Sequence, residues 1–278
     1  MHTAPLITCN GAAIPAIGLG TWDLRGEACS RAVSFGLQQG YRHIDTAAFY
    51  DNEAAVGEGL RASGVKREEI FVTTKVWHEE LGRGALQASA EASLKRMGLS
   101  QVDLLLIHWP SKTIPLAETM AALCEAKRRK LAKHIGVSNF PAALLGKAVR
   151  LASEPLVANQ CEYHPRLDQT RLLAACRKHG VAFVSYCPLA HAGLIGDPVV
   201  ARIAKAHGRN AGQILLRWHV QQPGVLAVPK SGQEKNITGN LNVFDFALSD
   251  AEMAALHALR AKDGRIVNPA WAPAWDVG

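Results

Sequence analysis

Tyr41-Arg42-His43-Ile44-Asp45-Thr46-Ala47, Ile70-Phe71-Val72-Thr73-Thr74-Lys75 and Val102-Asp103-Leu104-Leu105-Leu106-Ile107-His108-Trp109-Pro110 share one layout. Each is a largely apolar stretch that ends on an ionisable residue: Asp45, Lys75 and His108. Tyr50 follows Asp45 after one short connection. Near-continuous apolar strands separated by helices belong to a parallel sheet covered on both faces. When such a sheet closes into a barrel, the C-terminal ends of its strands share one rim, and chemistry sits there.

The same alternation extends in both directions. Strands are expected over 16–20, 41–45, 69–75, 102–107, 133–137, 156–160, 181–186 and 225–228. Between them, apolar residues recur at helical spacing, as with Leu86, Ala90, Leu94 and Met97 before Gly98. Further helices are expected over 116–130, 198–207, 210–221 and 249–261. Asp51 or Asn52 is expected to cap the second helix, and Asp168 to open the one that runs to Lys178. Ahead of the first strand, Asn10-Gly11 between two short apolar runs reads as a type I′ hairpin that plugs the barrel floor. The expected fold is α/β: a single (β/α)8 TIM barrel over residues 1–278, with an N-terminal β-hairpin and a short C-terminal tail. A doubly wound sheet would want a glycine-rich fingerprint, and Gly18-x-Gly20 lacks its third glycine and its acidic partner.

A chain of 278 residues with 48% hydrophobic and 20% charged residues suits one such barrel. The net charge of +7 favours anionic ligands. The densest basic run, Lys127-Arg128-Arg129-Lys130, closes a helix, where cations complement the dipole. No aromatic residue interleaves with it, so a nucleic-acid partner is not expected. The six cysteines show no ligand or redox spacing and read as free buried thiols in a reducing cytoplasm. No leader pattern opens the chain, and no apolar run approaches the length of a membrane span. No metal is expected, because no His-x-His strand end or carboxylate cluster is present. No heptad or obvious dimer strip is visible.

Reducing a carbonyl requires a hydride donor against the carbon and an acid for the developing alkoxide. Tyrosine is a weak acid at neutral pH, with an ordinary pKa of about 10. A neighbouring ammonium lowers that value, and Lys75 would supply it, held by an ion pair with Asp45. His108 would donate a hydrogen bond to the carbonyl oxygen. Singly, each residue has a bland explanation: a cap, an edge tyrosine, a solvated lysine, a structural histidine. Together, at successive strand ends, they form a catalytic set.

The arrangement resembles the aldo-keto reductase family. The matching segments are Gly18-Leu19-Gly20-Thr21-Trp22, Asp45-Thr46-Ala47-x-x-Tyr50-x-Asn52-Glu53-x-x-Val56-Gly57, Thr74-Lys75-Val76-Trp77 and Asp103-Leu104-x-Leu106-Ile107-His108-Trp109-Pro110. They continue with Gly136-Val137-Ser138-Asn139-Phe140, Asn159-Gln160-x-Glu162-x-His164-Pro165, Ser185-Tyr186-x-Pro188-Leu189, and Val228-Pro229-Lys230-Ser231 with Asn240-Leu241. The resemblance implies a barrel that binds NADPH, or less often NADH, reduces aldehydes and ketones, and needs no metal. It also implies a monomer. It implies Tyr50 as the general acid, Lys75 and Asp45 as its tuning pair, and His108 as the carbonyl-orienting group. Ser138, Asn139 and Gln160 would hold the nicotinamide carboxamide, and Tyr186 would stack on the ring. Gly20, Thr21, Trp22, Asp45, Pro188 and Leu189 would border the cofactor. Lys230 and Ser231 would meet the adenosine phosphate end, with Lys235, Asn236 and Asn240 near it.

One departure bears on the cofactor. Many family members place arginines after the Pro-Lys-Ser motif to clamp the 2′-phosphate of NADPH, whereas this chain has Glu234 and Asn236. Lys230 and Lys235 remain as cations, so NADPH is the expectation and NADH or dual use the alternative. Trp22, Phe49, Trp77 and Trp109, with Tyr50 and His108, would line the substrate pocket. Short connections after strands four and seven, and a short tail, imply a shallow, open pocket for small carbonyls. These features resemble the bacterial 2,5-diketogluconate and methylglyoxal reductase branch. A non-catalytic nucleotide-sensing subunit is the alternative reading. A phosphate-binding isomerase would leave the Tyr/Lys pair unexplained.

Overall fold

The computed structural model describes residues 4–276. The reading that no leader opens the chain rests partly on Met1, His2 and Thr3, which lie outside the described residues. A hairpin of β1 (Leu6–Cys9) and β2 (Ala12–Pro15) comes first. Its turn places Asn10 at φ 40° and Gly11 at φ 85°, the left-handed values that the expected turn requires. The Asn10 amide donates to the carbonyl oxygens of Leu156 and His179, which fastens the hairpin to the barrel floor.

Eight parallel strands follow: β3 (Leu19–Gly20), β4 (His43–Asp45), β5 (Phe71–Val76), β6 (Val102–Ile107), β7 (Ala132–Ser138), β8 (Leu156–Glu162), β9 (Ala182–Tyr186) and β10 (Val225–Ala227). They are hydrogen-bonded in sequence order. The ring closes where Ile17 pairs with Ala227 and Gly20 with Lys230. A Cβ on Gly20 would lie 2.8 Å from the Val228 carbonyl oxygen, so closure at this point requires glycine.

Helices α1 (Gly26–Gln39), α2 (Glu53–Ala62), α3 (Ala85–Met97), α4 (Leu116–Arg128), α5 (Ala142–Leu151), α6 (Thr170–Lys178), α7 (Pro198–His207), α8 (Ala211–Val220), α9 (Glu234–Leu241) and α10 (Asp250–His257) surround the strands. One apolar layer fills the space between sheet and helices. A second fills the barrel itself, where Leu104, Leu106, Val184 and Leu226 meet Ile14 of the hairpin. α2 and α3 touch at backbone distance: a Cβ on Gly57 would lie 2.2 Å from the Met97 carbonyl oxygen.

Several local expectations change. No helix was expected at 234–241; α9 is there, with Ile237, Asn240 and Leu241 buried. Its eight residues interleave polar and glycine positions, so the periodic signal is weak. Asn52 sits at the N-cap of α2 but caps nothing with its side chain. Its amide instead donates to the carbonyl oxygens of Thr21 and Leu24, and its oxygen accepts from the Thr46 hydroxyl. Asp168 precedes α6 by two residues and accepts from the Thr170 amide and hydroxyl. The last helix ends at His257, short of 261. All six cysteines are free, and five are buried; Cys187 is only half-buried, in the connection after β9. No helix among the described residues is long and apolar enough to cross a membrane.

Candidate active site at the C-terminal rim

β4 ends on Asp45, β5 carries Lys75 one residue before its end, and His108 directly follows β6. Parallel pairing in register stacks these strand ends side by side, with Asp45 opposite Thr73 and Lys75 opposite Leu106. A 3-10 turn, Ala48–Tyr50, then folds Tyr50 back over them. The Arg25 guanidinium holds that turn by donating to the Tyr50 carbonyl oxygen.

The Lys75 ammonium is fully buried and spends its three protons on three oxygens. It donates to Asp45 Oδ1 at 2.6 Å, to the Thr46 carbonyl at 2.9 Å and to the Tyr50 hydroxyl at 3.3 Å. Burial by itself would push Lys75 down. The Asp45 carboxylate and the Tyr50 oxygen reverse this, so its pKa is raised and it stays charged. The other carboxylate oxygen of Asp45 accepts from the Gln160 amide at 2.6 Å. The Thr21 hydroxyl donates to the Asp45 carbonyl at 3.0 Å.

Tyr50 departs from the sequence expectation. Burial pushes its phenol above the ordinary range, while the Lys75 ammonium pulls against that push without overcoming it. Desolvation of the phenolate outweighs one neighbouring cation that is itself neutralised by Asp45. At neutral pH Tyr50 is therefore a protonated phenol with a hydrogen-bonded ammonium behind its oxygen. His108 packs edge-on against it, with ring centroids 5.5 Å apart. Burial, with Lys75 next in size, holds the His108 imidazole well below its usual range, so the ring is neutral. Its Nδ1 is buried without a hydrogen-bond partner.

The aromatic wall is present and ordered. Phe49 stacks on Trp77 at 3.9 Å, and Trp22 lies parallel to Phe49 at 6.1 Å. Trp77 sets its edge against His108 at 5.2 Å. Trp22 and Phe49 are both close to half exposed. Trp109 is nearly buried and meets Trp275 of the tail at 6.0 Å. Trp271 closes on Trp77 at 5.6 Å. The tail thus packs its two tryptophans against the aromatic residues of the rim.

The residues expected to hold a carboxamide cluster at the ends of β7 and β8. The Ser138 hydroxyl donates to the Gln160 carbonyl at 2.7 Å. The Asn139 amide donates to the His108 carbonyl and to Ser138 Oγ, and its oxygen accepts from the Tyr186 hydroxyl at 2.8 Å. Asn139 takes a left-handed backbone, φ 64°, one of the positions where asparagine is tolerated. Pro188 presents its carbonyl to His219 Nε2, and Leu189 packs on the core. Across the barrel seam, Lys230 and Ser231 follow β10, while Lys235 and Asn236 occupy the first turn of α9 and Asn240 its buried last turn. Neither Lys230 nor Lys235 has an ion-pair partner among the described residues. Two free cations beside Ser231 and a helix N-terminus fit a phosphate-bearing ligand.

Sequence reasoning missed Arg25 and Arg265; it named Asn52 only as a cap and motif residue, and left open whether Trp271 and Trp275 shape the pocket or pack on the barrel. No local pattern marks the two arginines, since each acts on a partner far along the chain. Among the described residues, no group of three or more His, Cys, Asp or Glu side chains is placed to hold a metal ion.

Comparison with known proteins places the whole chain. The model of the "Aldo/keto reductase family" matches residues 16–261. Methylglyoxal reductase DkgB of Escherichia coli O157:H7 is 40% identical over 268 residues, covering 95% of this chain and 100% of that protein. An aldo-keto reductase of Mycolicibacterium smegmatis is also 40% identical, with 96% of each chain covered. A crystal structure assigned as a 2,5-diketo-D-gluconic acid reductase B superposes with a TM-score of 0.97 at 42% identity, over 99% of this chain and 98% of that one. The Bombyx mori aldo-keto reductase in complex with NADP superposes at 0.89 with 34% identity, over 97% and 96%.

Proposed function

This chain belongs to the aldo/keto reductase family, and on that premise we propose that it reduces small aldehydes and ketones, of the methylglyoxal or 2,5-diketogluconate kind, with NADPH as hydride source and Tyr50 as proton donor. The observation that carries the proposal is the buried chain Gln160–Asp45–Lys75–Tyr50, in which each link is a hydrogen bond.

The cofactor fits the residues present. Ser138, Asn139 and Gln160 offer amide and hydroxyl partners for a carboxamide, and Tyr186 offers a flat face. Lys230, Ser231 and Lys235 offer donors and charge for the phosphate end. When bound, the nicotinamide supplies the hydride.

The chain's own residues do the rest. The neutral His108 ring donates a hydrogen bond to the carbonyl oxygen and carries no charge to be expelled at neutral pH. Tyr50 gives its hydroxyl proton to the alkoxide as negative charge grows there. The Lys75 ammonium lies against the phenolate that forms, and Asp45 keeps that ammonium in place and protonated. The field is preorganised, because Lys75 is buried and triply bonded before any substrate arrives. The aromatic wall borders the Tyr50 and His108 side chains on one side. A reprotonated Tyr50 restores the site.

The test is the fall in absorbance at 340 nm with methylglyoxal or 2,5-diketogluconate, with NADPH and NADH in parallel, on wild type and Tyr50→Phe. Turnover by wild type with a loss of about 10²–10⁴-fold in Tyr50→Phe is expected. Cofactor binding without turnover of any small carbonyl would overturn the catalytic reading in favour of a nucleotide sensor.

A further inference from the structure

Glu162 ends β8, has no exposed surface, and plays no part in the proton-donating chain. Its carboxylate is nonetheless fully engaged. It accepts from the backbone amides of Ile266 at 2.7 Å and Val267 at 2.8 Å, more than a hundred residues away in sequence, and from His164 Nε2 at 3.0 Å. The Arg265 guanidinium lies 3.8 Å from the same carboxylate and stacks 3.7 Å over the Trp275 ring.

The segment so held is the tail over 264–276. Its far end is fixed by Asp276, which accepts from the Ala142 amide at the start of α5. Its middle is fixed by the Lys112 ammonium on the Ala270 carbonyl. Between these points Trp271 stands against Trp77, and Trp275 stands against Trp109. Few apolar side chains of the tail are buried; Ile266 is 45% exposed and Trp271 36%. Packing alone therefore does not fix the strap. Two charge-assisted hydrogen bonds onto one buried carboxylate do, because such bonds are worth roughly twice a neutral one and leaving the carboxylate unpaired is costly.

We propose that Glu162 is a positioning residue for the substrate wall: it clasps the strap at Ile266 and Val267 and so fixes Trp271 and Trp275 over the reacting rim. Glu162 lies two residues beyond Gln160 on the same strand and pairs in register with Tyr186. One strand thus serves the cofactor end through Gln160 and the substrate end through Glu162. The steady-state arm of the test rests on the proposed carbonyl reduction, and the exchange arm does not.

Two variants break the clasp from opposite sides. Glu162→Gln removes the charge at constant shape, and Ile266→Pro removes one strap N–H without touching the barrel core. Each is compared with wild type by amide exchange resolved by peptide, by nicotinamide-cofactor binding followed through tryptophan fluorescence, and by steady-state reduction of methylglyoxal. Both variants are expected to lose protection at least tenfold over 264–268 while the barrel strands stay protected. KM is expected to rise about fivefold or more, with kcat changed less and cofactor Kd within twofold. Unchanged strap exchange in both variants would overturn the proposal, as would KM and cofactor Kd rising together. If wild type turns over no small carbonyl, the proposed function falls and the exchange pattern alone decides the clasp.

Discussion

Gln160 and Asp45, 115 residues apart in sequence, are joined by a 2.6 Å hydrogen bond from the Gln160 amide to Asp45 Oδ2, while Asp45 Oδ1 is held by Lys75. The carboxylate is thus divided between the two sides of the rim. Gln160, proposed to touch the cofactor carboxamide, is also what holds the counterion of Lys75. Gln160 is thereby connected to Tyr50 through three buried hydrogen bonds in series.

Asp45→Asn should strand the Lys75 ammonium in a fully buried position. The loss of one partner from a buried pair costs about 3–5 kcal/mol. Urea denaturation at neutral pH should show a loss of that order, and turnover should fall with it. A variant as stable as wild type, and as active, would show that Lys75 does not depend on Asp45.

Stability should decline on the acid side because two buried histidines stay neutral in the fold. Burial lowers His43 to about 4 and His219 to about 3, from an ordinary 6.5. Below pH 6.5 the unfolded chain binds these protons and the native chain does not, so stability is complete above 6.5 and is lost as pH falls from 6.5 toward 4. Each histidine contributes about 1.4 kcal/mol per pH unit across that window. Denaturant midpoints at pH 7 and pH 5 should show this loss, and His43→Asn should flatten the dependence. An unchanged slope in the variant would remove His43 from the account.

Asn236→Arg should raise the preference for NADPH over NADH. Asn236 is exposed in the first turn of α9, next to the unpaired Lys235. A charge-assisted guanidinium contact to a 2′-phosphate contributes about 1.5–3 kcal/mol, which corresponds to roughly tenfold to a hundredfold in affinity. The ratio of Kd values for the two cofactors, before and after substitution, checks it. An unchanged ratio would place the 2′ position elsewhere.

Gly57→Ala should destabilise the fold without touching the site. The added Cβ meets the Met97 carbonyl oxygen at 2.2 Å, and a backbone oxygen cannot swing away. A loss of about 2–3 kcal/mol is expected from the forced separation of α2 and α3. Thermal unfolding would read it, with KM unchanged.

The sequence by itself determined the strands, the barrel and the meeting of Asp45, Lys75 and His108 at one rim. Period and hydrophobicity are local properties, and Asp45, Lys75 and His108 each lie at or near the end of an apolar run that the sequence displays. The hairpin was equally legible, because Asn10-Gly11 is a turn whose backbone demand is written in its residues. α9 was not legible, since its eight residues carry too little apolar periodicity to stand out from a loop.

Only the tertiary structure decided three further matters. Tyr50 is raised rather than lowered, because desolvation depends on everything packed around the phenol and not on the presence of a lysine in the motif. Asn52 braces the Thr21–Leu24 backbone instead of capping its own helix, because the side-chain oxygen that would cap accepts from the Thr46 hydroxyl while its amide holds the Thr21 and Leu24 carbonyls. The tail is tied to Glu162 through the Ile266 and Val267 amides, a contact between groups more than a hundred residues apart that no local pattern displays. Sequence spacing encodes what neighbours along the chain will do; which distant groups share a carboxylate, and how much water remains around a phenol, are fixed by packing.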